Sequence, residues 1–202
     1  REYEQWVNSM NSAMSVQRNA FVECPVAHPA LMMRREVCTA FGYREMGWPE
    51  DYDLVLRLLA AGHQIRVVPQ RLLLWRDAPT RLSRIDPVYA VTRFTQCKAA
   101  FLSTGFLAEH SQYILCGFGA TGKAIRRALA VHDRHPAYIV ELHPGRIGKT
   151  IHGAPVVPLS ELPQLPRVPV LMSVAGLENR RHNRAWLDGI GLRETVDYLC
   201  VA

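Results

Sequence analysis

The chain has 202 residues, of which 49% are hydrophobic and 21% charged, and its formal net charge is +6. This composition can form a hydrophobic core, and the length suits one large domain or two small ones. The apolar runs are far shorter than the about 20 residues that cross a bilayer, so an integral membrane protein, a collagen-like fibre and a disulfide scaffold are excluded.

The five cysteines lie far apart and include no Cys-x-x-Cys pair. This pattern is typical of reduced thiols in an intracellular protein. The basic residues are 21 Arg and 3 Lys, spread over both halves of the chain. A nucleic-acid binder would concentrate its positive charge on one element, so no nucleic-acid partner is expected. Because the chain begins at Arg1, we expect it to be a piece of a longer protein.

Short elements are predicted in the first part of the chain. An apolar run over 27–33 predicts a buried strand, and 35–41 predicts a short helix ended by Gly42. Two more strands are predicted over 64–68 and 71–75, on either side of a proline.

The clearest predicted helix covers 50–61. Pro49 precedes it, acidic residues fill its first turn and Gly62 follows it. Acids at this position favour the positive end of the helix dipole, so ordinary capping explains them without any function. A further helix is predicted over 86–105, where an Asp-Pro pair begins it and a glycine ends it.

The second part of the chain alternates strands with helices. Strands are predicted over 113–116, 137–141, 170–174 and 197–201, and helices over 123–132 and 178–187. This alternation is typical of a parallel sheet. The sequence therefore predicts an α/β protein with domains 1–107 and 108–202, the second being half of a doubly wound, Rossmann-like fold.

Several motifs in the first part occur in a characteristic order. They are Pro-Ala-Leu-Met-Met-Arg-Arg-Glu at 29–36, Phe-Gly-Tyr-Arg-Glu at 41–45, Pro-Glu-Asp-Tyr-Asp-Leu at 49–54, Trp-Arg-Asp at 75–77 and Arg-Leu-Ser at 81–83. With them, residues 22–105 resemble the inverting family-2 glycosyltransferases. The resemblance implies the acceptor-side part of a GT-A fold. It also implies sugar transfer from a nucleotide-sugar donor to a glycan or lipid-linked acceptor, in the cytoplasm at the inner face of the membrane.

The resemblance also assigns roles to individual residues. Asp51 corresponds to the catalytic base, and Glu50 would orient the site or bind the acceptor. His28 and Arg76 are candidates for acceptor binding, although a structural histidine and a packing arginine explain them equally well. Asp53 would cap the helix or hold the neighbouring loop.

Asp51 and Asp53 also match the Asp-x-Asp metal motif of such transferases, but we reject that assignment. In the family, the motif ends a strand of the donor-binding half, whereas these residues begin a later helix, and no aspartate precedes Asp51. The divalent metal (Mg or Mn) implied for the full-length enzyme therefore has no ligands here. Alone, the chain is expected to lack transferase activity and to form a homodimer or associate peripherally with a membrane.

A glycine motif follows the first predicted strand of the second domain. Gly117, Gly119 and Gly122 have the Gly-x-Gly-x-x-Gly spacing, and Glu141 ends the next strand, where an acid can bind a ribose hydroxyl. The region from 145 to 156 resembles small Rossmann-like domains fused to sugar-modifying enzymes. The alternative function is thus a module that binds a nucleotide-sugar or a dinucleotide such as NAD. Among the candidate functions, an NAD-dependent oxidoreductase ranks last. The alternative that the glycine turn serves only helix packing and binds no ligand also stays open.

Overall fold

The computed structural model describes residues 2–68, 70–76, 78–141 and 143–202, so the predictions that involve Pro69 and Asp77 lie outside the described residues. The chain forms two compact units, Arg1–Cys97 and Lys98–Ala202. The boundary falls inside a helix, Val91–Thr104. The predicted boundary after residue 107 lies beyond the end of that helix.

The described part of the first unit consists of helices joined by irregular segments. Its helices are α1 (Glu2–Asn8), α2 (Ala13–Asn19), α3 (Arg35–Phe41), α4 (Glu50–Ala60), α5 (Leu82–Ile85) and α6 (Val91–Thr104), which continues into the second unit. Short 3₁₀ turns form at His28–Ala30 and Pro87–Tyr89. The predicted helix over 86–105 is therefore a 3₁₀ turn followed by α6.

Helix α4 is the buried centre of the first unit, and its predicted start and end are confirmed. Pro49 precedes it, and Gly62 follows with φ +82°. Its buried residues are Tyr52, Asp53, Leu54, Val55, Leu56 and Leu58. The hydroxyl of Tyr52 donates to the carbonyl oxygen of Ala20 at 2.6 Å, and its ring packs 5.7 Å from that of Phe94. Because a helix that is apolar on several sides belongs in a core, α4 fixes the position of the residues in its first turn.

The predicted strands over 27–33, 64–68 and 71–75 are wrong. No strand forms in the first unit within residues 2–68, 70–76 and 78–97. Met32 is 93% exposed and Leu74 fully exposed. The backbone groups of a strand need a neighbouring strand as hydrogen-bond partner, and the described residues of this unit provide none.

The second unit is a six-stranded sheet with helices. Its elements are β1 (Gln112–Cys116), α7 (Ala120–Ala130), β2 (His135–Glu141), β3 (Thr150–Ile151), β4 (Ala154–Pro158), a 3₁₀ helix (Leu159–Gln164), β5 (Val170–Met172), α8 (Leu177–Gly189) and β6 (Tyr198–Cys200). The strand order is β3-β4-β2-β1-β5-β6, and only the β3–β4 pair is antiparallel. This confirms the predicted α/β class and parallel sheet.

The five parallel strands follow the order of doubly wound nucleotide-binding folds. Across the sheet they lie in the order β4-β2-β1-β5-β6, so β1 is flanked by β2 and β5. If the parallel strands alone are numbered one to five along the chain, this order is 3-2-1-4-5. Cys116, the last residue of β1, pairs with Val140 and with Met172. The four predicted strands correspond to β1, β2, β5 and β6, and β4 adds a fifth parallel strand, so the sheet is larger than the predicted half of a doubly wound fold. In such sheets, the crevice where the strand order reverses receives the ligand.

Candidate functional site

Asp51 lies in the first turn of α4, where one carboxylate oxygen accepts a backbone hydrogen bond and the other lies near His28. Its Oδ1 accepts a hydrogen bond from the backbone N–H of Tyr52 at 2.7 Å, and its Oδ2 lies 3.9 Å from Nδ1 of His28. The side chain is 19% exposed. Burial raises the pKa of Asp51 and the charge of Glu50 adds to this rise, while the Tyr52 N–H and His28 oppose it. A partly exposed carboxylate with a raised pKa has the properties of a general base.

Glu50 lies beside Asp51 and is held by a residue distant in sequence. The hydroxyl of Tyr89 donates to the Glu50 carboxylate and lies 2.7 Å from each of its oxygens. Burial raises the pKa of Tyr89, and its bond to Glu50 adds to the rise. This contact fixes the orientation of Glu50, whose Oε1 is 3.9 Å from Nδ1 of His28.

His28 faces both carboxylates from the 3₁₀ turn His28–Ala30. Its Nε2 lies 2.8 Å from the hydroxyl of Tyr43, and the two rings pack with centroids 5.3 Å apart. When Tyr43 donates to Nε2, the proton of the neutral imidazole is on Nδ1 and faces Glu50 and Asp51. We call His28, Glu50 and Asp51 the carboxylate cluster.

Asp53, two residues after Asp51, has a structural role. Its side chain is fully buried. Arg44 donates two hydrogen bonds to its carboxylate, at 2.8 and 3.1 Å. Nε of Arg57 donates a third at 2.7 Å, and Nε1 of Trp48 donates a fourth at 3.2 Å. Burial alone would raise the pKa of Asp53, but these three donor residues outweigh it and lower the pKa. Arg57 also donates to the carbonyls of residues 41–42. The prediction that Asp53 holds the neighbouring loop is confirmed.

These contacts separate Asp51 from Asp53. Within the described ranges, no group of three or more His, Cys, Asp or Glu side chains could hold a metal ion. The divalent metal implied by the resemblance therefore has no fitting ligand set among these residues. Arg76 is exposed, and no hydrogen bond within the described ranges joins it to the carboxylate cluster.

The second candidate site is the glycine loop, residues 117–122, between β1 and α7. Gly117 has φ +87°, which favours glycine, and its N–H donates to the carbonyl of Val140 at 2.8 Å. A Cβ on Gly122 would meet the Gly117 carbonyl oxygen and lie 2.7 Å from Oγ of Ser173, whereas a Cβ on Gly119 would meet nothing within 4 Å. The three glycines thus provide the tight turn, the open approach and the close helix packing of a nucleotide-binding loop.

Glu141 contacts this loop from the end of β2. Its Oε2 accepts from the backbone N–H of Phe118 at 3.2 Å and from Nη1 of Arg146 at 2.7 Å. Nη1 of Arg146 also donates to the Phe118 carbonyl at 3.1 Å. Glu141 therefore lies at the position predicted for a ribose-binding acid, with its charge balanced by Arg146.

A cleft opens between these residues and β5, and we call it the switch-point cleft. Its lining residues are Cys116, Gly117, Val140, Glu141, Leu159, Met172, Val174 and Asn183, around an empty volume of about 300 Å³ that includes open solvent. It lies at the carboxyl ends of β1, β2 and β5, where ligands bind in doubly wound sheets.

Several site residues were not predicted from the sequence, among them Tyr43, Tyr89, Arg146 and Asn183.

No helix in the described parts of the chain is long and apolar enough to cross a membrane. Neither a protein-family model nor a curated protein matches this sequence.

Proposed function

We propose that the first unit is the acceptor-side part of an inverting glycosyltransferase in which Asp51 is the general base. The observation that supports this proposal best is the position of the Asp51 carboxylate. One oxygen is fixed by the Tyr52 N–H, the other lies 3.9 Å from His28, and the side chain is partly exposed. The sugar would pass from a nucleotide-sugar donor to a hydroxyl of a glycan or lipid-linked acceptor, at the inner face of the membrane in the cytoplasm.

In the proposed reaction, Oδ2 of Asp51 takes the proton of the acceptor hydroxyl. The acceptor oxygen then forms its bond to the anomeric carbon as the bond to the nucleoside diphosphate breaks on the opposite face. This single displacement inverts the anomeric centre and needs one base. The burial that raises the pKa of Asp51 makes its carboxylate a stronger base.

Glu50 and His28 would position the acceptor. Glu50 keeps a fixed orientation through Tyr89, and 32% of its side chain is exposed and can accept a hydrogen bond from a second acceptor hydroxyl. His28 flanks both carboxylates with Nδ1 3.9 Å from each, too far for a direct hydrogen bond, so its ring can contact an acceptor that binds beside them.

The test is the replacement Asp51→Asn in a transferase assay that uses the polypeptide with its donor-binding half. Loss of a positioned general base typically lowers the rate by about 10²–10⁴. The control is Glu36→Gln, the same loss of charge at an exposed position of α3. Undiminished transfer by the folded Asp51→Asn variant would contradict the proposal.

We also propose that the second unit binds a nucleotide, with a nucleotide-sugar favoured over NAD. The supporting observation is that Gly117 provides the tight turn and Gly119 the open approach that a bound diphosphate requires, while Gly122 allows the close packing of α7. Thermal unfolding with UDP-, GDP- and dTDP-sugars and with NAD tests this proposal, since a ligand at 100 times its Kd adds about 2.7 kcal/mol. The absence of any shift would contradict it.

A further inference from the structure

Asn183 is a buried polar side chain in the wall of the switch-point cleft. It lies on the buried face of α8, is 9% exposed and lines the cleft together with Gly117. Its amide makes no hydrogen bond within the described residues, and its polar atoms are not sealed from solvent, so they face the open space of the cleft. An amide that faces a cleft and is not used by the fold can donate to and accept from a ligand bound there.

The surroundings of Asn183 favour an uncharged ligand group. The other lining side chains are apolar, apart from Glu141, whose charge is balanced by Arg146, and Cys116. Burial raises the pKa of the Cys116 thiol to about 12, so the thiol is neutral at pH 7. An amide both donates and accepts hydrogen bonds. The group that fits must therefore be uncharged and able to do the same, as a sugar hydroxyl is.

The glycine loop is suited to the charged part of the same ligand. Helix α7 has 11 residues, and its N-cap, Gly119, provides no side-chain hydrogen bond to the first turn. The free N–H groups of such a helix end favour an anion. Gly117 of this loop and Asn183 line the same cleft, so the group attached to a diphosphate at α7 can reach Asn183.

We propose that Asn183 recognises the sugar of a nucleotide-sugar whose diphosphate binds to the glycine loop. Its amide donates to one sugar hydroxyl and accepts from another. This inference depends on the nucleotide binding proposed for the second unit. It specifies that the sugar of the ligand enters the switch-point cleft and that Asn183 binds it.

The test compares nucleoside diphosphates with their sugar conjugates by titration calorimetry. The probes are UDP with UDP-glucose, GDP with GDP-mannose and dTDP with dTDP-glucose, and NAD is included. The wild-type chain is expected to bind at least one sugar conjugate about tenfold more tightly than its diphosphate, as one or two neutral hydrogen bonds would produce. The variant Asn183→Leu is expected to lose this preference and to bind the diphosphate within about twofold of the wild-type Kd. Asn179→Leu is the matched control, because Asn179 is exposed on the same helix, and it is expected to keep the preference.

The thermal stability of the free chain gives a second readout. Leucine is close in size to asparagine, and the Asn183 amide makes no hydrogen bond within the described residues, so Asn183→Leu is expected to keep Tm within about 2 °C of wild type. A larger fall in Tm would indicate a structural role and overturn the inference. If no probe binds the wild-type chain, the proposed nucleotide binding fails and the inference fails with it. If nucleotides bind but Asn183→Leu keeps the sugar preference, or only NAD binds, the inference alone is overturned.

Discussion

Asp51 and Asp53 lie two residues apart on α4, and their carboxylates have opposite environments. Asp53 is fully buried between Arg44 and Arg57, whereas Oδ2 of Asp51 is 3.9 Å from His28 and its side chain is 19% exposed. The pKa of Asp51 is raised mainly by burial, and the pKa of Asp53 is lowered because its donors outweigh burial. The lowered pKa of Asp53 follows from its structural ion pairs, whereas the raised pKa of Asp51 suits the candidate base.

The first prediction concerns the structural role of Asp53. Asp53→Asn leaves Arg44 and Arg57 without their carboxylate and is expected to lower the free energy of unfolding at pH 7 by about 3–5 kcal/mol. Denaturant unfolding measures this loss, with Glu36→Gln as an exposed control expected to stay within about 0.5 kcal/mol of wild type.

The same variant has a pH signature. Because the folded state lowers the pKa of Asp53, its contribution to stability is complete above the unfolded pKa of about 3.9 and is lost as the pH falls through the folded pKa. The difference between wild type and Asp53→Asn should therefore shrink below about pH 4. A difference that stays constant from pH 7 to pH 3 would contradict this role.

Asp51→Asn should have the opposite effect on stability. Burial raises the pKa of Asp51 in the folded state. The contribution of Asp51 to the free energy of unfolding is therefore most favourable below the pKa of the unfolded state, and it declines as the pH rises through the folded pKa. The neutral variant is therefore expected to be more stable than wild type at pH 7, with the gain disappearing in acid. Thermal unfolding at pH 7 and pH 3.5 measures it. A variant less stable than wild type at pH 7 would show that the Asp51 charge supports the fold.

Tyr89→Phe tests the orientation of Glu50. It removes the hydroxyl that contacts both carboxylate oxygens at 2.7 Å and should lower the free energy of unfolding by about 1 kcal/mol. The effects of Tyr89→Phe and Glu50→Gln should be non-additive, because the two side chains share the bond. Tyr138→Phe in β2 is the control. Additive effects would indicate that the contact contributes no coupling energy.

Two loop glycines should respond differently to alanine. The Cβ of Gly122→Ala would meet the Gly117 carbonyl and Ser173 Oγ, so we expect a loss of about 1–3 kcal/mol or more in unfolding free energy. Gly119 has φ −75° and open space around its Cβ position, so Gly119→Ala should fold normally but weaken nucleotide binding. Thermal unfolding and ligand titration separate these effects. Equal destabilisation by both variants would contradict the assigned roles.

The sequence predicted features whose signals are local. Pro49 and Gly62 determine the ends of α4, and the spacing of the loop glycines predicted the turn from β1 into α7. The false strand over 27–33 had the correct apolar composition, but strand formation depends on a partner strand that a local pattern cannot indicate.

The missed site residues depend on long-range contacts. Tyr89 reaches Glu50 across 39 positions of the chain, and Asn183 occurs in a helix whose sequence is mostly polar. Neither has a distinguishing local pattern. Strands β3 and β4 were missed because they are short and surround a turn at His152 and Gly153.

The pH dependence of kcat/KM for sugar transfer tests the role of Asp51 most directly, in the enzyme that carries the donor-binding half. Because the pKa of Asp51 is raised, the rate should begin to fall at a pH above the ordinary aspartate pKa of about 3.9, as protonation removes the base. This fall should coincide with the Asp51 carboxyl titration followed by carbon NMR. A rate that stays constant through that titration would contradict the assignment of Asp51 as the base.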